Sequence, residues 1–146
     1  MDPALIDGVL ITPQKRIFNP GGDILHALKR TGTGYVGFGE AYFSTVHAGA
    51  VKGWKRHRRV TLNLVVPVGV IRLVIYDDRL GSPTVGCFAD VNLGGENYSR
   101  LTLSPGLWMA FQGKGTSQNI LLNIIDEEHE PGEADNVGLT AIPFIW

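Results

Sequence analysis

Apolar residues fall in short runs along this chain, and glycine or proline interrupts them before a run reaches helical length. Val9-Leu-Ile-Thr12 ends at Pro13 and predicts a first strand at a sheet edge, where proline is tolerated. Asn19-Pro-Gly-Gly22 is a turn by composition. Asp23 to Arg30 has apolar residues at 24, 25 and 28 behind a candidate Asp23 cap, and reads as one or two helical turns or as a strand. A glycine-rich loop over 31–39 leads to Glu40-Ala-Tyr-Phe-Ser-Thr-Val46, whose aromatic and β-branched content predicts a strand.

The chain is organised around Val51-Lys-Gly-Trp-Lys-Arg-His-Arg-Arg59, which runs directly into Val60-Thr-Leu-Asn-Leu-Val-Val66. If one strand spans the whole stretch, Lys55, His57, Arg59, Thr61 and Asn63 share one face, and Trp54, Val60, Leu62, Leu64 and Val66 lie on the other. Such a continuous polar face is either solvated or lines a pocket. Pro67-Val-Gly69 then separates Val60–Val66 from Val70–Tyr76 and predicts a hairpin. Asp77 to Pro83 reads as a loop, 87–93 as a strand, Gly94 to Asn97 as a turn and 99–103 as a strand. Leu107–Phe111 and Asn119–Ile125 complete the strand pattern, and 126–135 is an acidic loop before an apolar tail. Seven or more short strands at spacings of about 8–12 residues predict an all-β fold, an antiparallel sandwich or small barrel with little helix.

Composition narrows the class. The chain's 146 residues, 44% hydrophobic with a formal charge of −1, suit one domain over 1–146 and argue against disorder or a dedicated nucleic-acid binder. The lone Cys87 excludes an internal disulfide framework and fits a reducing compartment. Met1-Asp-Pro-Ala-Leu-Ile-Asp7 has no basic region followed by an apolar segment, and no stretch approaches the roughly 20 apolar residues of a membrane span. The expectation is a cytoplasmic protein.

Four motifs follow one another between Val51 and Asp126: Lys52-Gly-Trp-Lys55, Asp77-Asp-Arg79 with Ser82-Pro-Thr-Val-Gly86, Leu93-Gly-Gly-Glu-Asn97, and Pro105-Gly-Leu-Trp-Met-Ala-Phe111. Together they resemble the dTDP-4-dehydrorhamnose 3,5-epimerase family of nucleotide-sugar enzymes. That family has Arg-Gly-Leu-His, Asp-Leu-Arg with Ser-Pro-Thr-Phe-Gly, Leu-Ser-x-Glu-Asn and Pro-Gly-Phe-Ala-His-Gly-Phe in the same order. The resemblance implies a cupin-type jelly roll, a homodimer, a sugar-nucleotide substrate and no metal or organic cofactor. It also implies a place in lipopolysaccharide or other cell-surface polysaccharide biosynthesis. The chain departs from the pattern at three places. Lys55 stands at the family's catalytic histidine, Met109 at the histidine of Ala-His-Gly-Phe, and Glu127-Glu128 at the tyrosine pair that supplies the acid. The related nucleotide-sugar 3,4-ketoisomerases carry Arg-Gly-x-His-x-His, in which His57 matches the second histidine.

Epimerisation beside a ketone needs a base at the α-proton and a donor for the developing enolate oxygen. Lys55 serves as base only if its pKa falls well below about 10.4, toward which neighbouring Arg56, Arg58, Arg59 and burial would push it. His57 acts as base itself or orients Lys55, and the blander reading has Lys55 and Arg59 binding phosphate. On this reading Lys55→Ala abolishes turnover and His57→Ala weakens it. Tyr42, Tyr76 and Tyr98 are the candidate acids, with Tyr42 favoured because its segment falls at the family's substrate-contacting Asn-His-Ser. Lys52, Arg59, Asn63, Arg72 and Arg79 are candidates for binding the substrate, the arginines through its pyrophosphate. Arg72 alternatively pairs with Asp77 or Asp90. Trp54 and Trp108 stack on a nucleobase or pack in the core. No His-x-His with a following acid supports a metal site. A catalytically silent sugar-nucleotide-binding cupin is the remaining alternative.

Overall fold

Alternation along each strand decides which side chain enters the core, and here nearly every turn carries the chain from one sheet to the other. The computed structural model describes residues 6–146. Residues 1–5, which begin the segment read above as lacking a leader pattern, lie outside the described residues. The strands in chain order are β1 (Val9–Pro13), β2 (Arg16–Ile17), β3 (Ile24–Leu25), β4 (Glu40–Thr45), β5 (Val51–His57), β6 (Leu62–Val68), β7 (Val70–Tyr76), β8 (Phe88–Gly94), β9 (Ser99–Leu103), β10 (Trp108–Gly113), β11 (Ile120–Ile125) and β12 (Ala134–Asn136). Two five-stranded sheets, ordered β1-β9-β6-β11-β4 and β12-β5-β10-β7-β8, face each other, with β2 and β3 forming a small separate ribbon. Their strand pairs are antiparallel, the arrangement of a cupin-type jelly roll. The helical content described is two short 3-10 turns, Pro131–Glu133 and Leu139–Ala141.

Leu62, Leu64 and Val66 of β6 meet Ile71, Leu73 and Ile75 of β7 in the space between the sheets. Each such fully buried aliphatic side chain contributes roughly 1.5–3 kcal/mol. A second apolar cluster lies on the outer face of the β5-containing sheet, where the C-terminal segment lays Ile142, Phe144 and Trp146 over Trp54, Val74, Trp108 and Ala110.

The strands arise close to where the apolar runs predict them, and the connections differ. Val60–Val66 and Val70–Tyr76 do not form a hairpin. β6 pairs with β9 and β11 in one sheet, and β7 pairs with β8 and β10 in the other. Both are interior strands whose ladder positions are already filled, so the Pro67-Val-Gly69 turn is a corner between facing sheets. Gly69 takes φ +78°, and a Cβ there would sit 2.3 Å from Asn119 Oδ1. That oxygen instead accepts the Val70 N–H at 3.0 Å.

The polar stretch is not one strand either. β5 ends at His57 and β6 begins at Leu62, in the opposite sheet. One carboxylate oxygen of Glu133 accepts the backbone N–H groups of Arg58, Arg59 and Val60 at 2.8, 2.8 and 3.1 Å, which bends the chain into a corner. Beyond the corner Leu62 and Leu64 face the core and Asn63 faces away, so Arg59 and Asn63 leave the face that holds Lys55 and His57. In segment 23–30 the strand alternative holds over Ile24–Leu25. Asp23 Oδ1 accepts the Asn19 N–H at 3.2 Å and closes the β2–β3 turn instead of capping a helix.

Candidate active site

A β-bulge in β5 sets the inward face. Against β10, Lys55 pairs with Met109 and Lys52 with Phe111, so two residues of β5, Gly53 and Trp54, oppose the single Ala110. The extra residue shifts the alternation, placing Lys52, Lys55 and His57 on the side of Met109 and Phe111 while Trp54 enters the outer cluster. A cavity of about 140 Å³ opens on this face. Tyr42 and Ser44 of β4, Lys55 and His57 of β5, and Asn123 of β11 supply its polar lining, and Leu62, Met109 and Phe111 its apolar wall. An adjoining outer cavity of about 290 Å³ shares Tyr42 and Lys55 and adds Glu40 and His129. Lys52 lines neither cavity, and its Nζ lies 5.9 Å from the centre of the Phe111 ring.

His57 is the most firmly placed of these groups. It is 7% exposed, and its Nδ1 lies 2.5 Å from Glu133 Oε1. Burial of Glu133, itself 3% exposed, would raise its carboxyl, but hydrogen bonds from the Arg59 N–H, His57 and the Val60 N–H outweigh burial and hold it at about 2. An ionised Glu133 makes Nδ1 the donor of the 2.5 Å bond, and in the neutral ring the lone pair is then on Nε2. Among the described residues no protein group bonds Nε2, while His57 lines the cavity. Burial, and then the charges of Glu40 and Glu133, raise the Tyr42 hydroxyl above its ordinary value, so it stays protonated. Asn123 Nδ2 donates to Ser44 Oγ at 3.1 Å and to the Tyr42 carbonyl at 3.3 Å, fixing that polar wall.

The sequence-predicted catalytic residues Lys55, His57 and Tyr42 therefore meet in one cavity. Most of the predicted binding residues are held elsewhere by protein partners. Arg59 pairs with Glu130 at 2.9 Å and Glu127 at 3.3 Å. Asn63 donates to the Gly34 carbonyl and accepts from Arg100 and Thr102. Arg72 takes the Asp90 alternative, at 2.6 Å, beneath Phe144 and Trp146. Arg79 belongs to a knot in which the buried Asp77 also accepts from Ser82 and Thr84. Burial would raise the Asp77 carboxyl, but these donors hold it well below the ordinary carboxylate range. Trp108 donates its indole N–H to Asp78 at 2.9 Å on the outer face, with Arg56 4.5 Å from its ring centre. The Ser-Pro-Thr-containing motif is thus a loop lock. Glu133 was missed in the sequence, where it is one acid among several in 126–135 and lies 76 positions from His57. Asn123 had a signal, as the polar break in Ile120-Leu-Leu-Asn-Ile-Ile125. Among the described residues no group of three or more His, Cys, Asp and Glu side chains is arranged to hold a metal ion.

No protein-family model matches the chain. It is 38% identical to a dTDP sugar isomerase from Desulfovibrio desulfuricans G20, whose crystal structure superposes with a TM-score of 0.94 over 97% of this chain and 92% of that one. Over 84 residues, 57% of this chain, it is 32% identical to a probable low-salt glycan biosynthesis epimerase, Agl13, of Haloferax volcanii. That match spans about half, 54%, of the curated relative's length. A double mutant of ChmJ, a 3'-monoepimerase from Streptomyces bikiniensis in complex with dTDP, shares the fold at 21% identity, with a TM-score of 0.86 over 100% of this chain and 78% of that one. By its identity and near-complete coverage against the Desulfovibrio protein, the chain belongs to the family of dTDP-sugar isomerases and epimerases.

Proposed function

We propose that this protein is a cofactor-independent epimerase of a nucleotide-linked 4-keto-6-deoxy sugar, working in the cytoplasm in cell-surface polysaccharide biosynthesis. The observation that carries the reading is the His57–Glu133 pair at 2.5 Å, set in a cavity that also holds Tyr42 and Lys55. His57 Nε2 takes the proton from the carbon beside the ketone, and the electrons of that C–H bond move into the enolate. Glu133, ionised and fixed by three backbone N–H groups, stabilises the imidazolium that forms. Lys55, in the same cavity, supplies an N–H donor to the enolate oxygen. Tyr42, kept protonated, returns a proton to the opposite face of the carbon, which inverts it. In this reading the base is His57, which has the orienting carboxylate, in place of Lys55, which motif position, neighbouring cations and burial favoured. The cations expected to depress Lys55 are themselves paired, Arg56 with Asp78 and Asp135 and Arg59 with Glu127 and Glu130.

Solvent deuterium exchange at the sugar tests the reading. Label at C3 or C5 of a dTDP-4-keto-6-deoxy sugar, lost in His57→Ala, is the expected result. A shifted ketone would instead make it a 3,4-ketoisomerase, and retained binding without exchange would make it a silent sugar-nucleotide cupin. We also propose a homodimer. Val36, Phe38 and Phe43, 61%, 63% and 69% exposed, place large apolar side chains on and beside the edge strand β4, where a second copy would cover them. Light scattering that returns the monomer mass would overturn this.

A further inference from the structure

On the outer face of the β1-β9-β6-β11-β4 sheet, away from the barrel cavity, Arg100 is buried with no carboxylate partner among the described residues. It is 2% exposed. Its Nε donates to Asn63 Oδ1 at 3.0 Å, Nη1 to the Ala27 carbonyl at 3.0 Å and Nη2 to the Thr33 carbonyl. Gln14, with its amide nitrogen turned toward Ala27, offers Nη1 a further acceptor at 2.8 Å. These acceptors are neutral. They satisfy hydrogen bonds and leave the guanidinium charge uncompensated, and a buried charge without a counter-charge carries a large desolvation cost. Burial is what pushes the Arg100 guanidinium down, with no acidic side chain among the described residues offsetting it.

Arg100 borders a cavity of about 180 Å³ between the end of β1 and the loop over 26–33. Lys15, His26 and Lys29 stand around the same space with the Thr33 residue, and none of the residues lining it is acidic. It shares no lining residue with the barrel cavity. No tryptophan, tyrosine or phenylalanine lines it, so it lacks a platform for a nucleobase.

We propose that this cavity is a binding site for a small tetrahedral oxyanion of the phosphate or sulfate type, neutralising Arg100 from within and held from the rim by Lys15 and Lys29. Two lysines and an arginine converging on one small space are the donor set such an anion requires. Because Arg100 also ties the Ala27 and Thr33 carbonyls to β9, the anion fastens that loop to the sheet.

Titration of inorganic phosphate and, separately, sulfate into the full chain, followed by calorimetry at constant ionic strength, tests this. The expected result is saturable binding at or below about 1 mM, weakened roughly tenfold or more in Lys15→Ala/Lys29→Ala. Both lysines are exposed, so the variant is expected to keep the wild-type circular dichroism and its turnover of sugar nucleotide. Three results would overturn the site: no saturation by about 10 mM, the same affinity in the variant, or displacement of bound phosphate by stoichiometric dTDP. The last would put the anion in the barrel. Each result stands whether or not the epimerase reading holds.

Discussion

On its inward side β5 presents Lys55 and His57 to a cavity, and on its outward side it presents Arg56 to Trp108, Asp78 and Asp135. Arg58 and Arg59, just past its end, likewise meet Asp135, and Glu127 and Glu130. Six basic or imidazole side chains within eight residues look alike in sequence, yet the outward ones, beside a cavity of about 470 Å³, are matched by acids while the inward ones keep bonding capacity to spare. The outward cations arrive with their counter-charges and are spent on holding β12 and the 126–135 segment in place. The inward pair is different: His57 has its carboxylate on one nitrogen only, and Lys55 has no ion-pair or hydrogen-bond partner among the described residues. Density of charge is therefore a poor guide to a site, and the distribution of counter-charge is a better one.

The largest effect expected on the inward side is from His57→Ala. Removing a general base costs roughly 10²–10⁴-fold in kcat, and turnover in His57→Ala is expected near the upper end of that range. A loss smaller than that of Lys55→Met, measured side by side on the same 4-keto sugar nucleotide, would return the base to Lys55. Glu133→Gln comes next, because it touches both His57 and the corner. Its carboxyl sits at about 2 in the folded chain against an ordinary 4.5, so the folded value is depressed. The stabilisation it brings, on the order of 3 kcal/mol, is complete above about 4.5 and is lost as pH falls toward 2. In Glu133→Gln melts, stability should be lower near neutrality and its fall between pH 4.5 and 2 shallower than in wild type. A parallel fall in the two proteins would show that Glu133 is not the group responsible.

The same corner shows how much of this was legible beforehand. Strand positions were, because runs such as Leu62–Val66 and Ile71–Ile75 are apolar enough to identify themselves. Their pairing was not: a Pro-x-Gly turn between two apolar runs serves a hairpin and a sheet-to-sheet corner equally, and the choice falls to distant residues such as Asn119, whose side chain fills the corner at Gly69. Lys55 and His57 could be placed together by alternation, since both lie past the bulge at Gly53 and Trp54. The extension of that face to Arg59 and Asn63 failed because a carboxylate 74 positions from Arg59 draws three successive N–H groups toward itself. Alternation is local knowledge, and Glu133 is not local.

Tyr42→Phe is expected to lower kcat by roughly 100-fold, the lower end of what a general acid contributes, with little change in KM, and to leave deuterium exchange into recovered substrate faster than epimerisation. Proton abstraction would survive while return from the opposite face slowed. Equal losses of exchange and epimerisation would remove Tyr42 from the acid role.

The smallest effect belongs to the outward side and tests the other half of the contrast. Arg58 is exposed and pairs with Asp135, which Arg56 also reaches at 3.0 Å, so its loss leaves the acid still paired. Exposed pairs of this kind are worth about 0–1 kcal/mol. Arg58→Ala should therefore shift stability by no more than about 0.5 kcal/mol and leave kcat and KM within about twofold. The Arg58 backbone N–H, which is what Glu133 uses, is untouched by the substitution. A large loss of turnover in Arg58→Ala would mean that the outward charges reach the reaction through Glu133, and that the two sides of β5 are not as separate as their ion pairs make them.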